Sequence, residues 1–215
     1  MRRTWMQLAY PCLVVLAAAL ALAFSGGPPA SETGALGVGG APAEDNCSLC
    51  HSTNPVNDGG SLTIAGVPSV YVPGNTYLLT LTLASSRTTA PSTRWGFELT
   101  AVRGDNGQGV GTFATVGTGT RIINGAGAFA TRRYVQHTST GLREGQGSPQ
   151  SWQMNWTAPA AGQDHPKIYF FAAGNAANRS FTNTGDWIYT TIESTSVDVT
   201  PVRPESWGSI KARYR

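Results

Sequence analysis

The chain has 215 residues and a formal net charge of +3, and only 13% of its residues are charged. Its 26 glycines and 13 prolines argue against a long-helix or coiled-coil protein and suit a β protein with many tight turns. Loss of Arg2 and Arg3 with an N-terminal leader would leave 13 Lys plus Arg against 12 Asp plus Glu, a balance that speaks against nucleic-acid binding.

In chain order, Met1-Arg2-Arg3 precedes an apolar run from Leu13 to Phe24. This run falls short of the roughly 20 residues a membrane helix needs. Residues 1–25 therefore read as a secretory signal peptide, with an uncleaved anchor as the alternative. The reading implies an exported protein, periplasmic or extracellular, with no stable membrane span after cleavage. Residues 26–44 are rich in Gly, Ala, Pro and Ser without periodicity, and read as a flexible linker.

Next comes "DNCSLCH", Asp45 to His51. From about Ser61 onward the pattern is strand-like. "TYLLTLTLA" puts Tyr77, Leu79, Leu81 and Leu83 on one face, and "WGFELTAVR" does the same with Trp95, Phe97, Leu99 and Ala101. "SWQMNWTAP" sets Trp152, Met154 and Trp156 against polar neighbours, and "KIYFFAAGN" is apolar on both faces. "DWIYTTIES" and "SVDVTPV" follow. Turn signals such as "VPGN", "RGDNGQG" and "NGAG" separate the runs. About eight short strands predict an all-β, antiparallel sandwich in one domain over residues 45–202. Residues 203–215 read as a C-terminal tail.

Once the leader is gone only two cysteines remain, Cys47 and Cys50, so no disulfide framework or four-thiolate zinc site can form. Cys-x-x-Cys-His is the attachment motif of a c-type haem. Two thiols add to the two vinyl groups, and the adjacent His51 falls beneath the iron as axial ligand. Zinc is disfavoured because Cys47, Cys50 and His51 supply three of the four ligands it wants. A thioredoxin-like redox motif would open a helix after a strand, and neither pattern is present. A plain Cys47–Cys50 disulfide stays open as the rival.

The second axial position needs a donor. Met154 alternates with Trp152 and Trp156 and reads as core filler; His165 reads as a turn histidine. His137, in "YVQHTSTG", falls at the end of a predicted strand, where a side chain is rigidly held yet projects beyond the sheet. Asn175, Asn178 and Asp186 read as turn caps, with a cation site of oxygen ligands as the alternative. No Ser-His-Asp order, HExxH or phosphate-cradling loop is present, and no enzymatic activity is expected.

Taken together, "GGAPAEDNCSLCH", "NDGGSLTI", "YVPGNTYLLTL", "GFELTA", "YVQHTSTG", "WQMNWTAPAAG", "IYFFAAGNAAN" and "TGDWIYTT" resemble the bacterial Reeler-like (reelin-type, choice-of-anchor V) domains. The resemblance runs from about Gly39 to Ile192. It implies an immunoglobulin-like β-sandwich with an N-terminal haem-binding loop segment. "YVQHT" also resembles the segment that carries a histidine in these relatives, which strengthens His137 as distal ligand ahead of Met154 and His165. The resulting expectation is a monohaem c-type cytochrome acting in electron transfer. It would carry one covalent haem c, with redox proteins as partners and self-association left open. The alternatives are a haem-free binding or adhesion module with a Cys47–Cys50 disulfide, and a haem-based small-ligand sensor with an open sixth position.

Overall fold

The structure, a computed structural model, describes residues 26–162 and 167–197. The predicted signal peptide, the tail 203–215 and His165 lie outside the described residues. The domain is an immunoglobulin-like sandwich of two sheets. One sheet holds β1 (Gly60–Ala65), β3 (Thr76–Ser85), β8 (Gln150–Thr157) and β5 (Thr112–Thr115), in the order β1-β3-β8-β5. The other holds β2 (Val70–Tyr71), β10 (Trp187–Val197), β9 (Ile168–Ala177), β4 (Arg94–Arg103), β7 (Arg133–His137) and β6 (Thr120–Asn124), in the order β2-β10-β9-β4-β7-β6. Every ladder is antiparallel except β2 with β10. Among the described residues ten strands thus stand where about eight were expected. The short β2 and β5 carry too few alternating residues to announce themselves.

The alternation is what makes the core. Leu79, Leu81 and Leu83 of β3, Trp152, Met154 and Trp156 of β8, and Trp95, Phe97, Leu99 and Ala101 of β4 interdigitate between the sheets. Trp156 packs edge-on against Phe170 at a centroid distance of 4.9 Å, and its Nε1–H donates to the Val110 carbonyl at 3.3 Å. Emptying such a site to alanine costs about 3–5 kcal/mol.

β4 and β9 are buried on both faces, and the outer cover is the stretch expected to be a flexible linker. Residues 26–46 run across the outside of the six-stranded sheet. Ala35 packs on Val102 and Phe171, and Thr33 bridges Asn46. The Glu32 N–H donates to Glu98 Oε2 at 2.7 Å. Glu44 is buried and accepts from Arg132, Tyr134 and Thr33. The linker expectation is therefore corrected. Gly and Pro deny this stretch a hydrophobic period, but polar anchors contributed by residues far along the chain hold it down. Burial raises the Glu98 pKa well above its ordinary value, so its carboxyl is held towards the protonated form.

Candidate functional site

The covering segment delivers the cysteines to one end of this outer face. Cys47–Leu49 forms a single 3-10 turn. Asn46 Oδ1 caps it by accepting the Ser48 N–H, and the N–H groups of Cys50 and His51 both return to the Cys47 carbonyl. This tight turn lets Cys47, Cys50 and His51 border one cavity while Leu49 stays in solvent. Burial first, then the Glu98 and Glu32 carboxylates, push the Cys47 pKa far up. A thiol held protonated is a poor nucleophile for disulfide exchange.

His51 is oriented by a buried carboxylate. Its Nδ1 lies 2.7 Å from Asp186 Oδ2. Asp186, only 2% exposed, also accepts the Asn178 N–H at 3.0 Å and stands 3.4 Å from Asn175 Nδ2. With its proton on Nδ1, the imidazole keeps the Nε2 lone pair for a ligand. A carboxylate on the far nitrogen is the usual support of a metal-ligating histidine. Asn178 acts as a turn cap, accepting the Ser180 N–H, whereas Asp186 both accepts the Asn178 N–H and orients His51.

His137 is the last residue of β7 and borders the same cavity. The β4–β7 ladder ends at Glu98 opposite Gln136. Beyond it, the imidazole takes over: the Phe97 N–H donates to His137 Nδ1 at 3.0 Å, and the Phe97 carbonyl lies 3.3 Å from the same atom. The ring lies against the backbone of Gly96, where a Cβ would come within 2.5 Å of His137 Cε1. Burial lowers the His137 pKa to about 4, so the ring is neutral near pH 7. While Nδ1 accepts the Phe97 N–H the proton sits on Nε2; ligation through Nε2 requires the other tautomer, in which Nδ1–H donates to the Phe97 carbonyl.

The cavity measures about 620 Å³, within the roughly 300–1,000 Å³ typical of cofactor and small-molecule sites. Its lining is mainly apolar, from Pro28, Pro29, Phe97, Leu142, Ala177 and Phe181. Two buried polar atoms on its wall, Arg94 Nε and Asn175 Oδ1, have no hydrogen-bond partner. Among the described residues no group of three or more His, Cys, Asp and Glu is placed to hold a bare metal ion. Two imidazoles and two thiols around an apolar slot suit a flat macrocycle that brings its own four donors. Cys47, Cys50, His51 and His137 are residues of the types that a c-type haem would need to be held there.

Met154 does not border this cavity. It is fully buried between the sheets, opposite Leu79 of β3 and Thr115 of β5. Sequence reasoning missed Gly96 and the tie between Asp186 and His51. Gly96 sits in a strand interior, where an isolated glycine signals close approach of another group; that signal was available. The link from His51 to Asp186 spans 135 residues and leaves no local trace.

No protein-family model matches the chain, and no curated protein matches it. Among solved structures it is similar to the human F-spondin reeler domain, with 18% identity over 67% of this chain and 93% of that one and a TM-score of 0.41. It is also similar to the sixth cohesin of Acetivibrio cellulolyticus scaffoldin B, solved with a dockerin, at 10% identity over 61% of this chain and 97% of that one, TM-score 0.37. The major pilin SpaD of Corynebacterium diphtheriae shows 15% identity over 64% of this chain and 34% of that one, TM-score 0.37. These likenesses are distant; the sandwich rests on its own ladders and core. Among the described residues no helix is long and apolar enough to cross a membrane.

Proposed function

We propose that the chain is an exported monohaem c-type cytochrome that works in electron transfer on a Reeler-like sandwich. One observation carries the reading: Cys47, Cys50, His51 and His137, up to 90 residues apart in the chain, border a single apolar cavity. Bound haem supplies a one-electron iron couple. The chain's own residues do the rest. Cys47 and Cys50 would form the thioether links, and the 3-10 turn sets their spacing. Asp186 fixes the His51 ring, and Phe97 and Gly96 fix the His137 ring. His51 and His137 would both hold the iron, which would favour electron transfer over binding of small ligands.

The test is covalent attachment. The protein is produced in a host with the c-haem maturation machinery, denatured, and stripped of loosely held pigment. Haem that stays on the polypeptide, and is lost in a Cys47→Ala, Cys50→Ala double variant, is the expected result. A colourless protein with a Cys47–Cys50 disulfide would overturn the proposal in favour of the haem-free module. Resistance of the ferrous form to carbon monoxide separates electron transfer from an open-site sensor.

A further inference from the structure

The cavity is electrostatically polar, and β4 measures it. By alternation, Glu98, Gly96 and Arg94 share the outer face of that strand. Glu98 lies beneath Glu32, whose carbonyl is 4.0 Å from Cys47 Sγ. Gly96 lies against the His137 ring. Arg94 opens the strand at the other end, four residues from Glu98, or about 13 Å at the rise of an extended chain. The cysteine end of the slot thus carries the carboxyl groups of Glu98 and Glu32, and the far end is cationic.

The cationic end is built from three elements. Arg94 Nη2 sits 3.3 Å from both carboxylate oxygens of Glu144, a long and loose contact, and its guanidinium stacks 4.3 Å from the centre of the Phe181 ring. Arg179, on the loop after β9, pairs with the same Glu144 at 2.7 Å. Two guanidinium groups thus share one carboxylate and leave a net positive charge. Arg94 Nε is buried on the cavity wall with no partner. Arginine's planar fork matches a carboxylate in a bidentate way.

A haem of the c type is anchored by its vinyl edge and carries two propionate carboxylates on the opposite edge. We infer that Arg94 and Arg179 form the carboxylate-receiving end of this cavity and take the propionates of the haem held at Cys47 and Cys50. This rests on the haem reading above. It fixes which way the ring lies: thioether edge under Glu32 and the Cys turn, propionate edge at the Arg94–Phe181–Arg179 rim. Glu32, at the cysteine end, disfavours the reversed orientation. Arg94, Arg179 and Glu144 are then positioning residues that set the charge seen by the iron.

The test uses the holoprotein. Arg94→Gln and Arg179→Gln are made singly and together, beside Glu144→Gln. Covalent haem and the low-spin spectrum are expected to survive in all of them. The midpoint potential is expected to fall in the arginine variants and to rise in Glu144→Gln, because a nearby cation favours the reduced iron and a nearby anion the oxidised one. In the arginine variants the propionate step in a plot of potential against pH moves to higher pH, a readout that a purely structural loss would not give. Arg94→Lys restores part of the potential. Arg87→Gln, at the Asp58 pair, serves as a distant control and leaves both quantities unchanged. Should Arg94→Gln destabilise the sheet, Arg179→Gln, on an exposed loop, carries the test. Unchanged potential and unchanged pH profile in Arg179→Gln and the double variant would overturn the subsite while leaving the haem reading intact. Wild-type protein without covalent haem would overturn both.

Discussion

Gly96→Ala is the sharpest probe of the distal side. The added methyl would lie 2.5 Å from His137 Cε1, 2.9 Å from Nδ1 and 3.0 Å from Nε2. All three contacts are too close, so either the ring or the strand must move. The strand is the stiffer party, since β4 is paired with β9 along its whole length, Arg94 to Arg103. The ring therefore leaves and loses the hydrogen bond from the Phe97 N–H. Overpacking of this kind costs about 1–3 kcal/mol, and the lost hydrogen bond adds about 1 kcal/mol. A net loss of about 2–4 kcal/mol lowers Tm by roughly 4–16 °C in a domain of this size. On the proposed reading covalent haem would stay attached, because Cys47 and Cys50 are untouched. The optical spectrum should move from six-coordinate low-spin to high-spin, and the ferrous form should bind carbon monoxide. Calorimetry and a carbon monoxide titration read both effects. A low-spin spectrum, no carbon monoxide binding and an unchanged Tm would refute the claim that His137 is held against Gly96 as the sixth ligand.

Asp186→Asn should raise the midpoint potential, because the carboxylate that enriches the His51 donor is gone; redox titration of the holoprotein checks this. The proximal ligand should also weaken by the roughly 10- to 100-fold that outer-shell partners contribute. Glu44→Ala leaves Arg132 buried without its carboxylate and should cost about 3–5 kcal/mol. Limited proteolysis should then cut within residues 26–46, and a protein as resistant as wild type would count against the clamp. Glu98→Gln probes pH dependence. Burial raises the folded-state pKa of Glu98, so its favourable contribution is full below the unfolded value near 4.5 and is lost as pH rises through the folded value. The variant should gain on the order of 1 kcal/mol over wild type at neutral pH, and the gain should vanish below pH 4.5. A pH-independent difference in urea midpoints would contradict this.

Alternation made the long strands legible: Leu79, Leu81 and Leu83, and Trp152, Met154 and Trp156, point inward as their period demanded. The Cys47–His51 motif and the strand-end place of His137 were also readable, since both are local. What escaped depends on residues far apart. Glu44 meets Arg132 across 88 positions and Tyr134 across 90, so the stretch before it looked structureless by composition. Arg94 reads as the polar start of an apolar strand; only the fold sets it beside Arg179 and Glu144. The cavity itself has no sequence signature, because five separate stretches of chain border it.

The inter-sheet core draws on residues from Leu62 to Val197 and takes nothing from the Cys turn. The pigment would thus sit outside the packed interior as cargo, where many small cytochromes use it as their centre. A chain of this design folds on its own account. A redox group held there could be lost, regained or retuned by changes confined to one cover and one rim. The same chassis is then equally serviceable without colour, and a pigmented and an unpigmented descendant need differ only on that single outer face.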